Sequence, residues 1–469
     1  MPPRSLSRTP GSRSSPRLVP GSLAATTSST HSTHYEFGGP LGASLLLLFL
    51  PLLTFALSAY TGPGGWPSHG GLEGLAAHLS ARGGLQLLHD AASQWDTRVF
   101  LLYCAYWAAL AVLYLVLPGR RVQGVVLPTG ERLPYPLNGL LSLALVVAVA
   151  LGAFYFYEAI PGVRLTALLA ILPALTLANI AFSALLSAFL YAYSFRPGAV
   201  LLAQGGHTSS PVYNFFIGRE LNPRLAGLDL KYFCELRPGL FQWLLLNLAC
   251  LAQSAEDGGG QPAPAVAAVV AAQVYYVLDA LLNEEAILST MDITLDGFGF
   301  MLAFGDLAWV PATYALQARF LVQQPSQGSP LLLACAVAVG ALGMHIFRAS
   351  NSEKDEFKRN PKAPRFAGAR TIAAQARGSS KTTLLLADGW WAQARHMNYL
   401  GDWLMAVAWS LPCGAASLGA ALAWFYPMYF AVLLVHREMR DSEKCSHKYG
   451  QAWEEYKRAV PWRIIPGVY

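Results

Sequence analysis

Four polar stretches of this 469-residue chain carry residue types that can do chemistry. The first, Val212–Leu240, sets Arg219, Glu220, Arg224, Asp229, Lys231, Glu235 and Arg237 among aromatic residues, with turns at Asn222-Pro223 and Pro238-Gly239. Charges mixed in this way read either as an interfacial loop whose ions pair with each other or as a cap over a pocket. The second, Tyr275–Asp306, places Asp279, Asn283, Glu284, Glu285, Asp292, Asp296 and Asp306 in or beside apolar runs. Ionisable groups are costly there, and their presence points to function. Tyr275 and Asp279, Asp279 and Asn283, and Asp292 and Asp296 are each four apart, so each pair shares a helix face. A carboxylic acid in apolar surroundings keeps its proton and can deliver it to a carbon–carbon double bond. The competing reading is hydrogen bonding and ion pairing between helices. Gly297, Gly299 and Gly305 leave room for another backbone or a flat ligand to approach.

The third stretch, Asn351–Pro361, carries Lys354, Lys358 and Arg359 on roughly one helical face after an apolar run ending at Phe347. Such cations anchor a helix end at a membrane surface or hold phosphates. The fourth is split between Gly389–Trp403 and His436–Tyr469, where aromatics, Arg, His, Asn and Asp interleave. Rings stack on bases, cations hold phosphates and carboxylates accept ribose hydroxyls, so the pattern suits an anionic, aromatic ligand. No glycine-rich turn follows a strand, which excludes a Rossmann domain. The Gly-rich stretch Asp257–Gly260 reads as a loop tip.

These stretches must be carried by something oily. Hydrophobic residues make up 54% of the chain and charged residues 13%, with a mean hydropathy of +0.37. Soluble domains carry about 25% charged residues. Runs long enough to cross a bilayer, roughly 20 residues, recur at Leu41–Tyr60, Val99–Leu117, Leu137–Tyr157, Leu165–Tyr193, Leu240–Gln253, Ala263–Leu282, Phe300–Phe320 and Leu331–Phe347. Trp403–Leu411 and Leu418–Val435 follow, and the Leu240 and Trp403 runs are short enough to be half-helices. The expectation is an all-α polytopic membrane protein of about ten transmembrane helices. Three sections follow: a tail over 1–35, N-terminal transmembrane helices over 36–210, and a catalytic region over 211–469.

Six cysteines show neither paired nor zinc-like spacing, so no disulfide and no metal is called for. The net charge is +6, and ten Lys and Arg fall in Arg348–Arg395 with seven more in Arg437–Arg463. Basic loops stay on the cytosolic side of a membrane, so both blocks are expected there. Met1–Tyr35 is rich in Arg, Ser, Thr and Pro and has no acidic residue. That composition fits a disordered tail, and it also fits an organelle transit peptide.

Taken together, GRELNPR at Gly218–Arg224, FCELRPGL at Phe233–Leu240, ARHMNYLGDW at Ala394–Trp403 and LLVHREMRD with CSHKYGQAW across Leu433–Trp453 resemble the sterol reductase family. That family includes the C14, C7 and C24(28) sterol reductases and the lamin B receptor. The likeness runs from about Pro211 to Tyr469, and Thr290–Pro311 is most similar to the C14 branch. It implies an NADPH-dependent enzyme of the endoplasmic reticulum membrane that reduces the C14–C15 double bond of a sterol intermediate. Protonation of the alkene leaves a cation at ring carbon 14, which takes hydride from the nicotinamide. The resemblance places cofactor contacts at Lys354, Lys358, Leu386, Trp391, Asn398, Tyr399, Asp441, Cys445, Ser446, His447, Lys448, Tyr449 and Tyr456. Arg395, His396, Asp402, Arg437 and Arg440 are their neighbours. The proton donor is expected to be Tyr276 or one of Asp279, Glu284 and Glu285. The implied partners are the lipid bilayer and a sterol, with no nucleic acid, and the oligomeric state is left open.

Three positions depart from the family pattern. Lys358 stands where relatives often have Arg, which keeps the charge and loses the bidentate fork. Asn214 replaces an acid before the Phe215-Phe216 pair, and Met397 stands where many relatives have Pro. Rival readings are a C7 reductase, a structural protein like the lamin B receptor, and a methyltransferase acting on lipidated cysteines. The last of these leaves Val212–Pro311 without a purpose.

Overall fold

The computed structural model describes residues 32–33, 35–61, 92–127, 130–155, 164–198, 200–324, 329–377, 382–415 and 417–469. Nearly all of the tail call at Met1–Tyr35 therefore lies outside the described residues. The chain is mostly helical. Its principal helices are α1 (Gly39–Tyr60), α2 (Thr97–Val116), α3 (Gly139–Tyr155), α4 (Leu172–Tyr193), α5 (Pro211–Ile217), α6 (Leu230–Leu236), α7 (Pro238–Asp257) and α8 (Pro264–Leu282). After a broken stretch come α9 (Pro330–Arg359), α10 (Met397–Ser410), α11 (Phe425–Tyr449) and α12 (Gln451–Ala459).

Among the described residues six helices are long and apolar enough to cross a membrane: Gly39–Ala59, Thr97–Val116, Leu172–Tyr193, Pro264–Leu282, Pro330–Arg359 and Gly419–Tyr449. The other runs fold differently. Leu137–Tyr157 yields a shorter apolar helix, Gly139–Gly152. Leu240–Gln253 lies inside α7, which buries Phe241, Trp243, Leu246, Asn247 and Cys250 and forms part of the main hydrophobic core. Phe300–Phe320 is no single helix: a π-turn over Gly305–Trp309 separates Phe300–Phe304 from Val310–Tyr314, and Leu316–Gln323 follows. Pro311 is the local cause, because it has no N–H to give to the preceding turn.

Strict all-α architecture gives way at the polar end. Strands β1 (Arg120–Val126) and β2 (Arg132–Leu137) form an antiparallel hairpin, as do β3 (Thr371–Gln375) and β4 (Thr382–Leu386). A two-residue hairpin joins Arg224–Leu225 to Leu228–Asp229. Val, Ile and Thr favour the extended backbone where no apolar medium forces every amide into a helix.

Two long helices carry the polar chemistry out of the apolar body. The 30 residues of α9 span about 45 Å, against a hydrocarbon core of about 30 Å. Its basic block continues the same helix beyond Phe347 instead of starting a new one. Helix α9 packs along α10, and the two backbones touch at Gly343 and Gly401, where a Cβ on Gly401 would meet Gly343 O and Phe347 N. Small residues permit that approach between apolar helices.

Buried ion pairs knit the polar end together. Glu284 accepts from Arg237 Nη2 at 2.7 Å, Tyr232 Oη at 2.7 Å and the Gly139 amide at 2.9 Å. The rest of the Arg237 guanidinium lies against the Tyr114 and Tyr232 rings. Lys231 donates to the carbonyls of Asp292, Ile293 and Asp296 at 2.6, 3.0 and 2.7 Å, closing the C-terminal turn of Met291–Thr294. The carboxylates of that segment face α11: Arg437 binds Asp292 at 2.8 Å, and Arg440 binds Asp296 at 2.5 Å and Glu36 at 2.8 Å. Of the two readings of Gly297 and Gly299, backbone approach is the one seen. A Cβ on either would collide with Gly218, which itself sits at φ 92°.

Candidate active site

The polar ends of α9, α10 and α11 converge with the β3–β4 hairpin, residues 389–396 and α12. Lys354 leaves α9 with its ammonium 3.6 Å from the centre of the Trp391 ring, and Trp391 is fixed by Nε1 donating to Ser350 O at 2.9 Å. Leu386 and Trp391 share a small core with Phe357 and Phe366. Asn398 donates to Asn351 Oδ1 at 3.2 Å. Tyr399 stacks on His396 at 4.7 Å between centroids. His396 Nε2 lies 3.7 Å from Asp441 Oδ2, and Cys445 Sγ lies 3.9 Å from the same carboxylate. Tyr449 and Cys445 pack on a core that includes Tyr456. The structure thus gathers Lys354, Leu386, Trp391, Asn398, Tyr399, Asp441, Cys445, Tyr449 and Tyr456 at one end of the molecule.

Three candidates stay outward. Lys358 is exposed, His447 pairs with Glu443 one turn away, and the Lys448 ammonium rides over the Tyr449 ring. Ser446 is partly exposed beside them. Helices α9 and α11 therefore each show one face inward and one toward water.

The electrostatics of this end follow from its burial. His396 is buried, and desolvation drives its pKa down to about 3 against the pull of Asp441, so the ring is neutral at physiological pH. Burial raises the Tyr456 phenol. His396 Nε2, Asn398 Oδ1 and Arg395 Nε are buried and have no hydrogen-bond partner among the described residues. His396 Nε2 and Asn398 Oδ1 therefore leave hydrogen-bonding capacity beside Lys354 and Asp441 that a ligand or water can use. A cation, neutral ring donors and acceptors, and an aromatic platform fit a phosphate-bearing nucleotide. Arg395 itself has a structural task, holding Glu438 at 3.4 Å and the Val460 and Pro461 carbonyls at 3.0 and 3.1 Å.

The four proton-donor candidates occupy different settings. Tyr276 Oη donates to Asp402 Oδ1 at 3.1 Å. Asp279 pairs with Arg348. Glu284 is held by Arg237 and Tyr232, as described above. Glu285 pairs with Arg120 at the surface, where both side chains are more than half exposed. Tyr276 touches the helix that carries Asn398, through Asp402 and Trp409.

That helix, α10, aligns the site. Asn398, Asp402, Met405 and Trp409 follow at spacings of 4, 3 and 4, so they form one stripe. Met405 and Trp409 line an apolar cleft of about 500 Å³ between α8, α9 and α10, together with Ala268, Tyr275, Gly340 and His345. The Trp409 ring stands edge-on to Tyr276 at 5.3 Å. One indole therefore borders both the cleft and the Tyr276 ring, and the stripe from Asn398 to Trp409 spans about 16 Å. Nothing in the sequence foretold Trp409 or the cleft, because an aromatic residue in an apolar run reads as core. Glu235, expected to pair with its neighbours, forms no ion pair among the described residues, and its Oε2 is buried without a hydrogen-bond partner there.

The departures from the family pattern have local reasons. Asn214 accepts from Thr208 and donates back to the Thr208 carbonyl at 2.9 Å, a bond an ionised acid could not give. Met397 is the first residue of α10, a position open to Pro and to other residues alike.

Compared with known proteins, the chain matches the model of the ergosterol biosynthesis ERG4/ERG24 family over residues 31–469. It belongs to that family. It is 46% identical to the delta(14)-sterol reductase TM7SF2 of Mus musculus, over 92% of this chain and 97% of the relative. It is 39% identical to the delta(14)-sterol reductase ERG24 of Saccharomyces cerevisiae, over 93% and 98%. The delta(14)-sterol reductase LBR of Gallus gallus is 41% identical over 93% of this chain, which spans 64% of that longer relative.

Proposed function

We propose that this chain reduces the C14–C15 double bond of a sterol intermediate, with NADPH as the reductant, in the endoplasmic reticulum membrane. The observation that carries the reading is the α10 stripe, which runs from the unpartnered Asn398 Oδ1 through Asp402 to the apolar cleft at Trp409. One helix joins a place suited to a soluble anion and a place suited to a lipid-dissolved substrate. Relatives at 39–46% identity that bear the name delta(14)-sterol reductase support the choice of bond. The two basic blocks lie at one end of the bundle, as a cytosolic face requires.

In this reading residues 211–469 form the catalytic region, and 36–210 supply supporting transmembrane helices. Lys354 and Lys358 hold phosphate, with Ser446, His447 and Lys448 along the rim. Trp391, Tyr399 and Tyr456 present ring faces. Asp441 and Asn398 accept and donate hydrogen bonds, while Leu386, Cys445 and Tyr449 wall the pocket. NADPH, when bound there, supplies the hydride.

The sterol lies in the cleft with its apolar rings against Met405, Ala408 and Trp409. Cleft volumes of about 300–1,000 Å³ are usual for molecules of this class. Tyr276 delivers its proton to C15, leaving the positive charge at C14. The Asp402 carboxyl group receives the Tyr276 hydrogen bond and holds that hydroxyl in place. Among the four candidates Tyr276 fits the donor role best, because Glu284 is saturated, Asp279 is paired and Glu285 is at the surface.

The test is sterol profiling of a C14-reductase-deficient yeast strain expressing this chain, with Asp441→Ala as control. Disappearance of C14-unsaturated sterols with the intact chain only is the expected result. Their persistence with the protein made and inserted would overturn the reading, and loss of C7-unsaturated sterols instead would move it to the C7 branch.

A further inference from the structure

Two of the helices that wall the apolar cleft are strapped together at its polar end. Arg348 of α9 pairs with Asp279 of α8 and also donates to the Asp279 carbonyl at 3.3 Å. One turn from that ion pair toward the apolar body, on the same helix faces, stand Tyr275 and His345. Both line the cleft. Among the described residues only these two and Trp409 bring a strong hydrogen-bonding side chain to its wall. The rest of the lining is Ala, Val, Gly, Met and Pro.

His345 is the one strongly polar side chain in the apolar run Leu331–Phe347. A tyrosine near the end of a span is an ordinary interfacial anchor, whereas an imidazole inside an apolar run is costly and points to a use. The imidazole stands edge-on to Trp390 at 5.9 Å, and Trp390 is itself fixed by its amide donating to Glu353 at 2.9 Å. Neither His345 nor Tyr275 makes a hydrogen bond among the described residues. Where lipid replaces water, a molecule dissolved in the lipid is what can complete those bonds.

From these two rings the cleft extends into the apolar body. On α8 it reaches Ala268, seven residues or about 10 Å away, and on α9 it reaches Ala336, nine residues or about 13 Å away. A polar mouth above apolar walls suits a rigid apolar body with one hydroxyl at its end. A sterol carries its hydroxyl on C3 of the first ring, while C14 and C15 lie in the opposite part of the fused rings. Gly340 is five residues or about 7.5 Å beyond His345, and a Cβ there would lie 3.3 Å from Ala408 Cβ. Trp409 follows Ala408 and stands edge-on to Tyr276. We propose that Tyr275 and His345 bind the sterol 3-hydroxyl and thereby decide which end of the molecule lies at the polar mouth. The proposal rests on the reductase reading above. The hydroxyl donates to one of the two rings and accepts from the other, as a phenol and an imidazole both allow. The C14–C15 bond is then carried deeper, to the level of Trp409.

The test is substrate discrimination by the detergent-solubilised full-length protein with NADPH, comparing a C14-unsaturated sterol with its 3-deoxy analogue. The unaltered protein is expected to favour the sterol in kcat/KM by about tenfold or more, because the analogue leaves the site's polar groups unpaired. His345→Leu and Tyr275→Phe each shrink that preference by about 3–10-fold, the worth of one hydrogen bond. The double variant treats the two compounds nearly alike. Two single variants cover the case where one folds poorly. Variants that merely loosened α8 against α9 would slow both compounds and keep the preference, and that result in both would overturn the assignment. An unaltered protein that reduces both compounds equally well would overturn it too, with the reductase reading left standing. If the unaltered protein oxidises no NADPH with either compound, the reductase reading falls and the assignment falls with it.

Discussion

Glu284 and Asp441 are both carboxylates at the polar end of the bundle, and they live under opposite conditions. Glu284 is nearly buried and takes three donors within 2.9 Å, from Arg237, Tyr232 and Gly139. Asp441 has His396 Nε2 at 3.7 Å and Cys445 Sγ at 3.9 Å, with orphaned polar atoms close by. A carboxylate with all its bonds made joins elements together, here α3, α6 and the end of α8. One with its bonds unmade is free to take them from water or a ligand. The sequence presents the two as the same residue class beside the same apolar runs, and only the count of donors separates them.

Substitutions can break or sharpen this contrast. The largest effect is expected at the chemical step: Tyr276→Phe lowers turnover by about 10²–10⁴-fold, the usual contribution of a positioned acid. Its KM for NADPH stays put. Steady-state kinetics with a C14-unsaturated sterol measures both, and an undiminished turnover would take Tyr276 out of the donor role.

Next comes the saturated carboxylate. Glu284→Ala leaves Arg237 buried without its anion, a change that costs about 3–5 kcal/mol of stability. Thermal denaturation in detergent should show a markedly lower midpoint, whereas Asp441→Ala should leave the midpoint nearly unmoved. Asp441→Ala and Lys354→Ala should instead weaken NADPH binding about 10–100-fold, the worth of a charge-assisted hydrogen bond. Equal stability losses for Glu284→Ala and Asp441→Ala would erase the distinction between the two carboxylates.

A smaller effect follows from His396. Its pKa is about 3 in the fold against 6.5 in the open chain. Below pH 6.5 the unfolded chain binds a proton that the folded protein refuses, so stability falls as pH drops from 6.5 toward 3. His396→Gln removes that part of the acid limb, which a pH series of denaturation midpoints would reveal. An unchanged limb would mean that the ring does not titrate this way. The smallest effect belongs to Glu285→Gln. An exposed pair such as Glu285 with Arg120 is worth at most about 1 kcal/mol, and both turnover and midpoint should match the unaltered protein.

Much of the fold was legible because apolar length is a strong signal. Six stretches of lipid-compatible sequence became helices long enough to span. The failures have physical causes: Pro311 turned the Phe300–Phe320 run into a broken, π-containing segment, and the Leu240–Gln253 run was oily because it is core. Hairpin β3–β4 escaped notice because it is short and lies between basic residues. The polar end was legible as a set of residues, since Lys354, Trp391, Asn398 and Asp441 do converge. Their partners were not: spacing along a helix does not say that Tyr276 meets Asp402 or that Glu235 Oε2 is left without a hydrogen bond among the described residues.

The central claim is that one helix links an NADPH pocket to a sterol cleft through Tyr276 and Asp402. Its most direct test is product analysis after reaction of the purified protein with a C14-unsaturated sterol. NADPH deuterated at its transferable hydrogen is used in ordinary water, and then unlabelled NADPH in deuterated water. Deuterium at C14 from the cofactor and at C15 from the solvent, both lost in Tyr276→Phe, is the expected result. Label at another ring position, or a Tyr276→Phe protein that reduces the sterol as fast as the unaltered one, would contradict it.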